Sequence, residues 1–161
     1  MNFTWPLAAL TLVGCLLLLG LAGWLMFRRG RSVSVPVATR ALAEQRERMQ
    51  ANFFTVAAAS GKPRGLRWTG CDFGPDATLA RDRRTRHLFA FVPVAISFEA
   101  IPGSDMEGLP AVGNLRTATA VFRFDEGVWA TDGRALFNMD PDEALSHFSK
   151  QYESIAINTG S

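Results

Sequence analysis

Hydrophobic and polar positions divide the chain into segments of different period. The first 27 residues carry no Asp, Glu, Lys or Arg, and Leu7 to Phe27 reads LAALTLVGCLLLLGLAGWLMF, 21 residues without a charge. At about 1.5 Å per helical residue the run spans roughly 30 Å, the thickness of a bilayer's hydrocarbon core. In lipid only a helix satisfies its own backbone, so a transmembrane anchor over 1–27 is expected despite Gly14, Gly20 and Gly23. Trp5 and Trp24 fall near the two ends, where amphipathic rings favour the interface, and Pro6 sits where its missing N–H costs nothing.

Residues 28–36 read as a basic juxtamembrane linker, and a single α+β domain is expected over 37–153, followed by a tail at 154–161. Ser34 or Val35 precedes a helix with Pro36 in its first turn. From about Val37 to Ala59 the chain is Ala-rich and free of breakers. Leu42, Met49, Phe53 and Val56 share one stripe at helical spacing. Ser60, Gly61 and Pro63 end it.

Beyond Gly65 the period falls to two. Gly65 to Phe73 and Thr78 to Asp82 are expected as strands around a turn at Gly74-Pro75-Asp76. His87 to Ala100 gives the clearest alternation, with Leu88, Ala90, Val92, Val94, Ile96 and Phe98 on one face. Pro93 removes a ladder donor, which predicts an edge position or a bulge. Leu115–Phe124 and Val128–Phe137 form a hairpin around Asp125-Glu126-Gly127. Asp140, Pro141 and Glu143 have the spacing of a capped helix start, and Leu145, Phe148 and Tyr152 supply the stripe that follows.

This order predicts an α+β fold, roll-like: the anchor, one long helix on a curved antiparallel sheet of about five strands, and a short C-terminal helix. It resembles the cystatin-like and nuclear-transport-factor-like α+β rolls. The likeness is carried by element order alone and implies nothing about activity.

Charge sets the expected orientation. Arg28, Arg29 and Arg31 follow the apolar run, so the positive-inside rule places the N-terminus outside and the domain in the cytoplasm of a single-pass cell-membrane protein. A signal peptide fits poorly, because the start is not basic and the apolar run is long. Leu12-Val13-Gly14-Cys15 resembles a bacterial lipobox, but no basic residue precedes it and twelve apolar residues follow. With two cysteines, one inside the run, a disulfide framework is excluded.

Residues 28–86 hold 13 basic and 5 acidic side chains, a net of +8, whereas 87–161 hold 4 and 10, a net of −6. Arg81, Arg83, Arg84 and Arg86 crowd a single turn. With Arg28, Arg29 and Arg31 they form the candidate surface for anionic lipid headgroups, at about 1 kcal/mol per basic residue near a membrane. The alternative is that they pair with the acidic half inside the fold. Nucleic acid is not expected, since no aromatics interleave the cluster.

Catalytic and metal signals are weak. Cys71 beside Asp72, with His87 further on, has the composition of a thiolate–imidazole pair but no local signature. His87 and His147 are sixty residues apart, and no CxxC, HxH or HExxH spacing occurs. Asp72 and Asp76 flank a turn, and Asp140, Asp142 and Glu143 have a capping role. Neither a phosphate-binding loop nor a cofactor motif is present. A non-enzymatic interaction or accessory module with an unknown protein partner is therefore expected. The alternative is a small-molecule or lipid binder using a cavity between helix and sheet. Phe89, Phe91, Phe122 and Phe124 are expected along the second sheet face, as core, pocket or partner surface.

Overall fold

The pattern of a helical stretch followed by alternating strands produces an α+β fold in the computed structural model, which describes residues 34–60 and 65–155, and Gly20 alone of the N-terminal segment. The expected anchor at 1–27, most of the linker and the end of the tail lie outside the described residues. Among those described, no helix is long and apolar enough to cross a membrane. Three helices and a curved antiparallel sheet of seven strands make up the domain. In chain order these are α1 (Val35–Glu44), α2 (Arg46–Ser60), β1 (Leu66–Phe73), β2 (Thr78–Asp82), β3 (Leu88–Ala100), β4 (Arg116–Asp125), β5 (Val128–Ala130), β6 (Ala135–Phe137), α3 (Pro141–His147) and β7 (Tyr152–Ile155).

The strand order β5-β4-β3-β2-β7 is completed by β1 beside β3 and β6 beside β4. β3 is the spine. Its even positions from Leu88 to Phe98 face α1 and α2, as the alternation predicts, and are buried with Met49, Phe53, Ala57, Trp68, Phe122 and Phe124. On the opposite face a smaller core joins Ala80, Phe91, Val121 and Tyr152 to Ala144 and Leu145 of α3. Burying a large apolar side chain contributes about 1.5–3 kcal/mol, so this two-sided arrangement is the main source of stability.

Pro93 corrects the edge expectation. It lies in the central strand, but at the point where β3 changes partners: Val94 pairs with Phe73 of β1 and Phe91 with Thr78 of β2. The Pro93 carbonyl points into that gap and accepts from Gly74 N–H at 2.8 Å. The missing donor therefore faces a turn instead of a ladder.

The long helix is notched at Gln45. Gln45 N–H still bonds Ala41 O, and Met49 N–H bonds Gln45 O, so backbone bonds continue across the one-residue break. The Gln45 side chain reaches across from this break: its Nε2 donates to Gly127 O at 2.9 Å and its Oε1 accepts from Trp129 N–H at 3.1 Å. It thus caps part of the free edge of β5 with the two bonds a strand would make. Gln50 similarly donates to Cys71 O on the free edge of β1, at 2.7 Å, and Arg46 to Phe73 O. Unpaired edges invite further pairing, and here helical side chains close them.

Two further differences raise the strand count from five to seven. The last arm of the hairpin divides into β5 and β6 around Thr131–Arg134, because Gly133 adopts φ +80 and turns the chain. Tyr152 belongs to β7 and not to the final helix, which ends with its cap at Phe148. β7 also extends two residues beyond the expected domain end. The expected start of that helix holds: Asp140 accepts from Asp142 and Glu143 N–H, and Glu143 returns a bond to Asp140 N–H.

Candidate functional site

The basic turn is built around a buried carboxylate. Asp82 ends β2 with only 6% of its surface exposed. It accepts from Arg84 N–H at 2.9 Å, from Thr85 N–H at 2.7 Å and from Gln151 Nε2 at 3.3 Å. Burial works against its charge, but the hydrogen bonds from Thr85, Gln151 and Arg84 outweigh it and hold the carboxyl below the usual aspartate range. Around this turn, Arg86 and Arg83 reach Glu153 of β7 at 2.8 and 3.5 Å, and Arg83 Nε also donates to Ser149 O. Arg81 stands opposite Glu153 across β2 and β7. Arg84 is exposed and makes no ion pair among the described residues. The structure brings Arg81, Arg83 and Arg86 together around one acidic residue and leaves Arg84 turned outward. Arg28, Arg29 and Arg31 lie outside the described residues.

The four phenylalanines do not share a face. Ala90 of β3 pairs with Phe122 of β4, which puts Phe122 and Phe124 on the α1–α2 side, fully buried. Phe89 and Phe91 project to the α3 side, where Phe91 is core and Phe89 is half-buried. The parity of β4 relative to β3 decides this, and single-strand alternation does not contain it. Phe53, Phe73, Phe122 and Trp68 pack together between helices and sheet, with ring centroids 5.8–6.2 Å apart. Both clefts described below open on the other face. The indole Nε1 of Trp68 is buried without a partner among the described residues.

Cys71 and His87 are far apart. Cys71 pairs with Ile96, nine residues along β3 from His87, or roughly 30 Å of strand. Burial, with the neighbouring Asp72 charge, pushes the Cys71 thiol up, so the thiolate a nucleophile requires is disfavoured. Among the described residues no cluster of three metal-ligating side chains forms.

The larger cleft, ≈ 720 Å³, lies between Pro93–Ala95, the end of β1 and the start of α3. Asp72, Asp140 and Glu143 reach it, yet Asp140 and Glu143 are engaged in the helix cap. The smaller, ≈ 410 Å³, has a different character. Phe89 of β3 forms its floor, Arg123 opposite it on β4 stands exposed at the rim, and Tyr152 of β7 forms one wall, its ring 5.0 Å from that of Phe89. The Thr131–Arg134 link forms the other wall. Thr131 Oγ donates to Val121 O and accepts from Gly133 N–H, which fixes the link against β4. The Arg134 guanidinium lies 5.0 Å above the Phe148 ring and beside the Tyr152 hydroxyl.

Desolvation raises the Tyr152 hydroxyl, partly offset by the Arg134 charge, so it stays protonated. It accepts from Gln151 Nε2 at 3.0 Å and, among the described residues, donates to no side chain. Of the residues at this cleft, the alternation singled out Phe89 and Phe122, and helical spacing placed Tyr152 in a stripe with Leu145 and Phe148. Nothing joined Arg134, Arg123 and Tyr152, which come from two strands and a link with no local spacing between them. Compared with protein-family models, curated proteins and solved structures, the chain matches none.

Proposed function

We propose that the chain is a single-pass membrane protein whose α+β domain is held at the bilayer surface as a non-catalytic interaction or accessory module, with the domain on the cytoplasmic side. One observation carries the reading: an uncharged run of 21 residues ends only seven residues before α1, and three of those seven are arginines. At roughly 3.5 Å per extended residue the spacer reaches about 25 Å at most, less than a small domain's diameter. In this reading the domain meets its partner while tethered to the membrane. Arg28, Arg29 and Arg31 supply the headgroup contact in this reading, since Glu153 already engages Arg83 and Arg86. The raised Cys71 thiol, far from His87, supports a binding role over nucleophilic chemistry.

Membrane fractionation tests the proposal. The full chain is expected to stay in the pellet through alkaline carbonate and to leave it in detergent, whereas a chain beginning at Arg28 is released by carbonate. Release of the full chain by carbonate would contradict the anchor.

A further inference from the structure

The smaller cleft holds an arginine that the fold positions but does not neutralise. Arg134 is half-buried and its guanidinium lies over Phe148; among the described residues no carboxylate comes within ion-pair distance of it. Of the nearby acids, Asp82 accepts from its turn and Gln151, and Asp125 pairs with Arg123 at 3.1 Å; Asp132, exposed on the cleft wall, accepts the Arg134 backbone N–H but does not reach its guanidinium. A partly desolvated cation without a counter-ion is costly, and a planar fork held on an aromatic ring is suited to a carboxylate or phosphate. The Tyr152 hydroxyl adds a donor beside it. Below them Phe89 and Val121 form an apolar floor against the Tyr152 ring of the wall, in a volume within the range of small-ligand sites.

We infer that this cleft binds an amphiphilic anion: a carboxylate or phosphate gripped by Arg134 and Tyr152, carried on an apolar or aromatic body that lies over Phe89. Arg123 stands at the rim as a second cation, shared with Asp125. This site goes beyond the membrane-tethered module and does not depend on it. The same chemistry comes from two sources, a free small anion or the headgroup region of an anionic lipid.

The test uses the full chain in nanodiscs of neutral lipid, titrated with phenyl phosphate and followed by calorimetry and by the Arg134 side-chain N–H resonance. Saturable one-to-one binding is expected, at least about tenfold tighter than for inorganic phosphate, because only the former covers the floor. Arg134→Ala should weaken it by tenfold or more. Arg134→Lys should weaken it as well, since an ammonium lacks the fork, and Tyr152→Phe should do so by a smaller factor. These two milder variants keep the test open if Arg134→Ala does not fold. Arg48→Ala, at an exposed position of α2, should leave binding unchanged.

Nanodiscs with phosphatidylglycerol separate the sources. A shift of the Arg134 resonance without added ligand, reversed by phenyl phosphate, identifies lipid; no shift, with phenyl phosphate still bound, identifies a free anion. The inference is overturned if phenyl phosphate does not saturate and anionic nanodiscs cause no shift. Equal affinity for inorganic phosphate would overturn it too, as would an Arg48→Ala loss as large as that of Arg134→Ala.

Discussion

Replacing Gly133 by alanine should damage the fold more than the same change at Gly127, and the gap between them measures how closely α2 packs on the β5–β6 link. Both glycines have positive φ, +80 and +88, where an L side chain costs about 1–2 kcal/mol. They differ in surroundings. A Cβ at Gly127 meets nothing within 4 Å, whereas at Gly133 it would lie 2.8 Å from Ala57 N and 2.9 Å from Ala57 Cα. Those atoms belong to helix backbone and cannot swing aside, so overpacking adds about 1–3 kcal/mol. Gly133→Ala should then cost about 2–5 kcal/mol in all, and Gly127→Ala about 1–2. For a domain of this size each kcal/mol lowers Tm by about 4 °C. Thermal unfolding of the full chain in detergent, followed by near-ultraviolet circular dichroism, should show drops of about 8–20 °C and about 4–8 °C respectively. Equal drops would refute the close contact between α2 and the link.

Three other outcomes follow from named contacts. Asp82→Ala should cost about 2 kcal/mol at neutral pH, from the loss of charge-assisted bonds to the turn. Because the folded carboxyl is held below its ordinary value, this stability is present above the unfolded pKa and lost as pH falls through the folded one. Urea unfolding at several pH values should therefore show wild type and variant converging only in acid. Gln45→Ala should cost about 1–2 kcal/mol and speed hydrogen exchange at the Trp129 amide, with little effect on β3 amides. In a Cys15→Ser background, Cys71 should react with a disulfide reagent at least about tenfold more slowly in the native protein than in urea.

Local patterns in the chain were the legible ones. Thirteen alternating residues announced β3, the Asp140–Glu143 spacing announced the α3 cap, and Asp125-Glu126-Gly127 announced a hairpin; Asp125 pairs with Val128, so the loop itself is Glu126 and Gly127, both with positive φ as a tight turn of that hand requires. What stayed hidden acts across long separations. Gln45 looks like any polar residue in an Ala-rich helix, and its partners at Gly127 and Trp129 lie more than eighty positions away. Tyr152 sits at helical spacing from Leu145 and Phe148, and the four residues of β7 are too few to show their own period. The cleft around Arg134 depends on the register that sets Phe89 against Arg123. The arginine turn was legible as a cluster, but its main partner, Glu153, lies 67 positions from Arg86.

The measurement that bears most directly on the membrane-tethered reading is protease accessibility of a C-terminal tag on the full chain in sealed membrane vesicles of known sidedness, with intact mass determined on the same material. A tag digested only from the cytoplasmic face, on a chain of full length and unmodified at Cys15, is the predicted result. A tag digested only from the external face, or a chain cleaved before Cys15 and lipidated there, would contradict it.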